Sequence, residues 1–175
     1  RRIYYKETIL SPVEGVGHFE PLRHYAEVHI RIDPASRGSG ISFRSELSGD
    51  VLSPDTQRLV KTHIFEKAHK GVLTGSDICD VEFVLVNGAT HEKHTEGGDI
   101  REATYRAVRQ GLMRAENVLL EPIYSFTARS DIPLSGKIMA DVRQMGGSFT
   151  PPEIDGEVAI TRGRAPARFL GDYAE

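Results

Sequence analysis

The sequence predicts an α+β protein of two domains, in which short strands alternate with amphipathic helices. Apolar residues alternate with polar ones in several segments and recur every three or four residues in others, as strands and helices require. The first series of strands and helices ends at residues 118–122 (VLLEP), and a second series begins after them. Because 175 residues suit two small domains, we place the first at residues 1–120 and the second at residues 121–175.

The first domain contains two strands joined by a glycine-rich turn. Apolar and charged residues alternate over residues 27–33, and Pro34 ends that strand. A turn at residues 37–40 (RGSG) leads into a second alternating segment at residues 41–47. Because such turns commonly connect antiparallel strands, we expect the second strand to run antiparallel to the first.

A helix and a further strand follow these two strands. Ser53 is a good N-cap with Pro54 at the first helical position, and Gly71 is a good stop signal. The next strand is expected at about residues 78–86. Cys79 lies in its alternation of apolar and acidic residues, which favours a buried strand thiol over a nucleophile.

The last helix of the first domain is predicted to be long. Apolar and small residues recur at helical spacing from Ile100 to Ala115. Because its inner stripe is mostly small, we expect this helix to sit close to its sheet. Four arginines lie off the stripe and form either a solvated face or an RNA contact, namely Arg101, Arg106, Arg109 and Arg114.

The second domain shows the order strand–helix–strand–strand–helix. Strands are expected at residues 123–129, at Phe149 and at residues 157–162. The helix that begins at Pro133 is expected to turn four residues inward, namely Leu134, Ile138, Val142 and Met145. The final helix begins at Pro166 and carries Phe169, Leu170 and Tyr173. This order is a split βαβ unit that lacks its last strand.

Composition excludes several classes of protein. With 17 glycines and 9 prolines, the chain lies below the roughly 25–30% of these residues that is typical of low-complexity sequences. No apolar run approaches the ~20 residues that span a bilayer, so we expect no membrane partner. The net charge of −3 does not require nucleic acid, although a small basic patch stays compatible with it. A single cysteine cannot form an internal disulfide, which favours a cytoplasmic protein.

The start of the chain is neither an initiator methionine nor a secretory signal, so we expect it to begin inside a larger protein. The split βαβ unit without its last strand indicates that the C-terminus also lies inside a domain. We therefore interpret the sequence as a fragment.

No catalytic motif is present at the required spacing. A nucleotide-binding P-loop needs Gly, four residues, Gly-Lys and then a hydroxyl residue. At Gly136 and Lys137 the first glycine is replaced by Asp131 and the hydroxyl residue by Ile138. We therefore identify no catalytic residue and no cofactor site in this chain.

One pair of histidines leaves an enzymatic alternative open. His91 and His94, with Glu92 and Glu96 nearby, could supply metal ligands to a small metal-dependent hydrolase. The other interpretation is that these histidines belong to a polar loop and simply face water.

Two segments resemble a known family. Residues 5–8 (YKET), followed much later by residues 118–122 (VLLEP), resemble domain IV of elongation factor G and of the related tetracycline-resistance ribosomal protection proteins. Residues 33–34 (DP) and 38–40 (GSG) are similar to the ribosomal protection branch in particular. Beyond Pro122, the split βαβ unit resembles domain V of the same family.

The resemblance implies a fold for each domain. The first domain is expected to resemble the second domain of ribosomal protein S5, with a left-handed βαβ crossover that runs against the usual hand. The second is expected to be an incomplete ferredoxin-like split βαβ domain.

The resemblance also implies a function. The parent protein would be a ribosome-dependent GTPase whose nucleotide domain, with its GTP and Mg²⁺, lies upstream of this chain. Domain IV would be a lever that inserts into the decoding region of the ribosomal A site and drives tRNA–mRNA translocation. The alternative within the family is the removal of tetracycline from the ribosome. The implied partners are small-subunit rRNA, A-site tRNA and mRNA, with large-subunit contacts through domain V, and the protein is expected to be a monomer.

The same resemblance predicts which residues contact the ribosome. Two loops, at residues 20–24 and 87–95, are expected to form the end of the lever. Counting back from VLLEP places His91 on the histidine at the end of the elongation factor G lever, and Lys93 on a proline of the resistance proteins. The candidate rRNA-contacting residues are Arg23, His24, Gly88, His91, Lys93 and His94.

Overall fold

The computed structural model of the chain describes residues 2–171, which form two compact units. Lys6–Leu120 is the first unit, and residues 2–5 with 121–171 form the second. Both mix strands with helices, which confirms the predicted α+β class. Tyr173, which the sequence assigns to the last helix, lies outside the described residues. No helix within residues 2–171 is both long enough and apolar enough to cross a membrane.

The first unit combines two sheets with two helices. Its elements along the chain are β1 (Lys6–Ile9), β2 (Val13–Phe19), β3 (Ala26–Pro34), β4 (Ile41–Ser45), α1 (Pro54–Phe65), β5 (Asp77–Ile78), β6 (Val81–Thr90), α2 (Gly97–Arg114) and β7 (Asn117–Leu120). The larger sheet has the strand order β2-β3-β6-β4, and the smaller one has the order β5-β1-β7. In the smaller sheet β1 is parallel to β5 and antiparallel to β7.

Strand β4 pairs with β6 and not with β3. It is parallel to β6, and α1 lies between the two in the chain, whereas β3 is antiparallel to both β2 and β6. Strand β4 therefore runs antiparallel to β3, as predicted, but the turn between them does not close a hairpin. The carboxylate of Asp80, just before β6, accepts hydrogen bonds from the amides of Gly38 (3.1 Å) and Gly40 (3.0 Å). These bonds hold the turn at the start of β6.

The single strand predicted at residues 78–86 is wrong, because the chain forms two strands there. Asp80 is buried between β5 and β6 and has a φ of 57°, a left-handed conformation that interrupts an extended strand. Strand β6 then continues to Thr90, with a register shift in its pairing to β3 between His29 and Ile30. Alternation of residue types does not reveal where one residue leaves the extended conformation.

Helix α2 packs directly on β2 and β3, as its stripe of small residues predicts. A Cβ atom added at Gly15 or Gly17 would come within 3.0 Å of the backbone of Ala107 or Ala103, respectively. Neither glycine has a positive φ, so the close approach of the helix is what requires glycine at these positions. The residues of β3 that alternate toward the core are fully buried, namely Ala26, Val28, Ile30 and Ile32.

A buried carboxylate joins β1 to the loop after α1. Glu7, from the YKET segment, is fully buried, and its Oε1 accepts a hydrogen bond from the Leu73 amide (2.8 Å). Its Oε2 accepts from the amides of Thr74 (3.2 Å) and Ser76 (2.9 Å) and from the Thr74 hydroxyl (3.1 Å). Burial raises the pKa of Glu7, but the four hydrogen bonds outweigh it and leave the pKa below the usual value of a glutamate. A side chain at Gly71 would overlap this carboxylate.

The second unit is a sheet covered by a helix. Its elements are β8 (Ile123–Asp131), α3 (Ile132–Gln144), β9 (Ser148–Phe149), β10 (Glu153–Asp155), β11 (Val158–Pro166) and α4 (Ala167–Leu170). The strand order is β10-β11-β8, with β9 also on β11, and all of these pairings are antiparallel.

Helix α3 turns most of its predicted inner residues toward the sheet. Ile138, Val142 and Met145 line a shared cavity with Phe126 of β8. The prediction for Leu134 is wrong, because this side chain lies in the first helical turn, outside that contact, and is 52% exposed.

Replacing Gly17 with alanine should unfold the first unit at lower denaturant concentration. The added methyl group overlaps backbone atoms of α2, so we expect the free energy of unfolding to fall by about 3 kcal/mol. Chemical denaturation followed by circular dichroism measures the change. Gly98→Ala is the matched control, because nothing lies within 4 Å of its added Cβ, and it should leave stability unchanged or slightly raised.

Replacing Glu7 with glutamine should lower stability at neutral pH and remove part of its acid dependence. The native carboxylate has a pKa below the value in the unfolded chain, so its contribution is complete above about pH 4.3 and is lost as the pH falls through the native pKa. At pH 7 we expect Glu7→Gln to cost about 1–3 kcal/mol, since charged hydrogen bonds are lost. Unfolding curves between pH 7 and pH 3, with the exposed Glu102→Gln as control, test this. Parallel pH profiles for wild type and Glu7→Gln would contradict it.

Candidate nucleic-acid interface

Two connections of the first unit meet at one end of α2. Residues 20–25 join β2 to β3, and residues 91–96 join β6 to α2. We call these two connections the tip. The predicted loop at residues 87–95 is therefore too long at its start, because β6 runs through Thr90. Gly88, one of the candidate residues, lies in β6 opposite Val28, where a Cβ atom would crowd the Leu52 side chain.

Hydrogen bonds fasten the two connections to each other. The amide of Tyr25 donates to the carbonyl of His94 (2.8 Å). The Thr95 hydroxyl donates to the carbonyl of Tyr25 (2.6 Å) and accepts from the amide of His91 (2.7 Å). The tip is therefore a bonded pair of turns and not two independent loops.

His91, Lys93 and His94 are exposed on the second connection. The carbonyl of His91 accepts from the amides of His94 (3.1 Å) and Thr95 (3.0 Å), which closes a tight turn. The Lys93 amide donates to Nδ1 of His91 (3.2 Å), so the proton of the neutral ring lies on Nε2. The rings of His91 and His94 stack with centroids 4.4 Å apart. This turn presents an N–H donor, an ammonium group and a flat ring pair to the solvent.

The first connection presents a cation and an apolar side chain. Arg23 has a φ of 64° and is exposed, and its neighbour Leu22 is 91% exposed. The amide of His24 donates to the carbonyl of Pro21 (2.9 Å), which closes the turn. Arg23 is therefore held at the apex of a short turn, where its guanidinium can reach a phosphate.

His24 is bound within the chain and is less free than the other candidates. Its Nδ1 lies 3.0–3.1 Å from the carboxylate oxygens of Asp99, a buried residue in the first turn of α2. The same carboxylate accepts the amide of Glu96 (2.8 Å) in a capping box. His24 thus ties the first connection to the helix N-terminus. Because Glu is not among the residues favoured at an N-cap, the sequence carries no clear signal for this cap.

Carboxylates surround the base of the tip. Nε2 of His18 lies 2.8 Å from Glu20 and its Nδ1 lies 3.4 Å from Glu27, and these two acids raise the pKa of His18. The hydroxyl of Tyr25 donates to Glu27 (3.2 Å). The ring of Tyr25 makes an edge contact with His18, so it is occupied within the chain.

Three of the four arginines on α2 bind other parts of the first unit. Arg106 donates to the carbonyl of His18 (2.9 Å), and Arg114 donates to that of Glu14 (3.3 Å). Arg101 pairs with Glu66 (3.2 Å). Arg109 has no hydrogen bond or ion pair to the described residues. It is therefore the arginine of α2 for which both predictions, a solvated side chain and an RNA contact, stay open.

The reactive groups singled out in the sequence do not assemble into a site. Within residues 2–171 no three His, Cys, Asp or Glu side chains gather so that they could hold a metal ion. Cys79 lies between β5 and β6 and not within a strand, and it is half-buried. Burial raises the pKa of its thiol, which disfavours the thiolate that a nucleophile requires.

Replacing Asp99 with alanine should loosen the tip. The variant loses the helix cap and the bond to His24, so we expect the free energy of unfolding to fall by about 1–2 kcal/mol. Amide hydrogen exchange at Glu96 should also become faster. Glu102→Ala, an exposed acid on the same helix, is the control and should change neither quantity. Equal behaviour of the two variants would contradict the role given to Asp99.

Comparison with known proteins agrees with this architecture. Residues 1–116 match the family described as elongation factor G, domain IV. The crystal structure of a protein from Thermus thermophilus is similar over 99% of this chain, with a TM-score of 0.86 and 26% sequence identity. The present chain covers 26% of that protein. The match to residues 1–116 confirms the resemblance that the YKET and VLLEP segments indicate, and the chain belongs to the elongation factor G domain IV family.

Proposed function

We propose that this chain is a C-terminal part of an elongation-factor-G-like translational GTPase, and that its tip enters the A site of the small ribosomal subunit. The observation that carries the proposal is the family match over residues 1–116, together with an exposed tip that offers RNA contacts and no catalytic group. The partners are small-subunit rRNA with A-site tRNA and mRNA. Residues 121–175 contact the large subunit, and the parent protein acts in the cytoplasm as a monomer.

In this proposal the tip transmits movement as one unit, because hydrogen bonds join its parts. The bonds from Tyr25 and Thr95 join its two connections, and Asp99 joins both to α2. Displacement of α2 along its axis therefore moves both connections together. Such a lever drives tRNA–mRNA translocation by occupying the A site as the tRNA leaves it.

RNA recognition at the tip uses a small number of donors. Nε2–H of His91, the ammonium of Lys93 and the guanidinium of Arg23 suit phosphates, 2′-hydroxyls and base edges. The neighbouring carboxylates of Glu20, Glu92 and Glu96 oppose phosphate binding. The isolated tip should therefore bind RNA weakly, and the remaining domains of the parent supply its effective concentration.

GTP hydrolysis belongs to another part of the parent protein in this proposal. The chain has no P-loop, so GTP and Mg²⁺ bind upstream, and the present residues convert the resulting movement into work on the tRNA. The isolated chain then neither binds nor hydrolyses GTP.

Removal of tetracycline is the second function that the family allows. The DP and GSG segments, at residues 33–34 and 38–40, are similar to the ribosomal protection branch. In the structure Pro34 ends β3, and Asp80 holds Gly38 and Gly40 at the start of β6, whereas the tip follows the end of β6. Because these segments do not belong to the tip, their similarity to the ribosomal protection branch does not indicate a contact with the drug. Translocation is therefore the function we favour.

Replacing His91 with alanine in the full-length factor should slow translocation and spare ribosome-stimulated GTP hydrolysis. Loss of one hydrogen bond to a charged group costs about 1.5 kcal/mol, which corresponds to roughly a tenfold lower rate. Stopped-flow measurement of mRNA movement, beside phosphate release from GTP, separates the two steps.

The exposed Lys61→Ala, on α1, is the control for this experiment and should leave both rates unchanged. Unchanged translocation in His91→Ala and in Lys93→Ala would exclude the tip from the function. Rescue of tetracycline-inhibited translation by a factor that does not translocate would instead support the protection function.

A further inference from the structure

A basic groove lies on the helix side of the first unit, away from the tip. It is formed between the segment that follows α1 and the side of α2, and it encloses about 180 Å³. Its lining contains three cations, a tyrosine and a buried histidine, namely Lys67, Lys70, Arg109, Tyr105 and His69. None of these residues belongs to the tip.

The cations of the groove are only partly compensated within the chain. The ammonium of Lys67 lies 3.4 Å above the centre of the Tyr105 ring, a contact that positions it without neutralising its charge. Arg109 has no hydrogen bond or ion pair to any residue of the described chain. Lys70 pairs with Asp77 at one edge, and Asp77 is shared with Lys6.

One carboxylate beside the groove, that of Glu66, is already engaged. Glu66 accepts hydrogen bonds from Tyr105 and Arg101 and lies 3.0 Å from Nδ1 of His63. The Glu66 carboxylate is therefore engaged by these three groups and does not pair with Lys67 or Arg109. Both cations stay available to an external anion. The groove thus carries a local positive charge in a chain whose net charge is −3.

His69 adds a hydrogen-bond acceptor to this cationic lining. Its Nε2 donates to the carbonyl of Ile64 (2.8 Å), and burial lowers the pKa of the ring, so the neutral form is favoured. The other ring nitrogen, Nδ1, then carries a lone pair. A ligand with both anionic and hydroxyl groups satisfies this combination better than an anion alone does.

The groove is placed to act together with the tip. Helix α2 leaves the tip at Gly97, and Arg109 follows twelve residues later, about 18 Å along the helix axis. Arg101 and Tyr105 occupy the same ridge of the helix at four-residue spacing. A polyanion bound at the tip can therefore extend along this ridge to the groove.

We propose that this groove binds the phosphodiester backbone of RNA, with Arg109 and Lys67 on a phosphate. The guanidinium of Arg109 matches phosphate geometry, the ammonium of Lys67 adds a second cation, and His69 suits a 2′-hydroxyl. An acidic protein segment would use the cations but would bring no hydroxyl group to the acceptor on His69 as a ribose does. The choice of RNA rests on the proposed function, in which the partner is the ribosome.

The test measures RNA binding by the 175-residue chain directly. Fluorescence anisotropy with a fluorescein-labelled RNA hairpin, over a range of salt concentrations, gives the affinity and its salt dependence. Arg109→Glu should weaken binding roughly fivefold to tenfold and lower the slope of log K against log salt by about one. Lys67→Glu should act in the same direction, and Arg109→Lys, which keeps the charge but loses the guanidinium fork, should weaken binding less than Arg109→Glu does.

Lys61→Glu is the matched control, since it makes the same change in net charge at an exposed position of α1 outside the groove. It should weaken binding by less than about twofold. Equal losses for Arg109→Glu and Lys61→Glu, in variants with wild-type melting temperatures, would overturn the proposal. So would displacement of the RNA by polyglutamate as effectively as by unlabelled RNA.

Tip variants keep this test separate from that of the proposed function. If Arg109→Glu weakens RNA binding while His91→Ala and Lys93→Ala both leave translocation unchanged, the groove is supported and the role of the tip is excluded. If His91→Ala slows translocation while Arg109→Glu has no effect on RNA binding, the groove alone is excluded.

Discussion

The close contact between α2 and β2 constrains the rest of the first unit, because it brings two backbones together with no side chain between them. Gly15 and Gly17 face Ala107 and Ala103, and a methyl group at either glycine would overlap the helix backbone. This contact sets both the distance and the position of α2 along the sheet. Since the helix begins where β2 ends, the same contact brings the connections at residues 20–25 and 91–96 together.

The same approach explains what two of the four arginines of α2 do. Strand β2 is an edge strand, so its outer backbone groups lack strand partners. Side chains of α2 supply them, since Gln110 accepts the amide of Val16 (2.6 Å), and Arg106 and Arg114 donate to carbonyls of the same strand. Arg106 also lies over the ring of Phe19. The role of arginines at helical spacing therefore follows from the sequence only when the sheet edge beside the helix is known.

Local sequence patterns predicted where the helices and strands lie better than they predicted which of these elements contact each other. The stripe of small residues on α2 indicated close packing before any contact was known, because residue size along one helix face is a local property. The pairing of β4 with β6 depends on Asp80 and the amides of Gly38 and Gly40, forty residues apart in the chain. The bond between His24 and Asp99 spans 75 residues. Interactions of this kind determine which of the predicted site residues are free to contact a partner. They join residues that are far apart in the sequence, so the periodicity of residue types does not reveal them.

The charge of the first unit is divided between its two faces. On the face of the larger sheet opposite α2, Arg31 bridges Asp33 and Glu46, and Arg44 bridges Glu46 and Glu82. Further along the same strands, His29 lies between the carboxylates of Glu14 and Glu27. Acids outnumber arginines here, so this face repels a phosphate backbone. In the proposed function, RNA therefore approaches from the side of α2 and from the tip. The net charge of −3 is thus a sum over two faces of opposite character, which is why it neither indicates nor excludes an RNA partner.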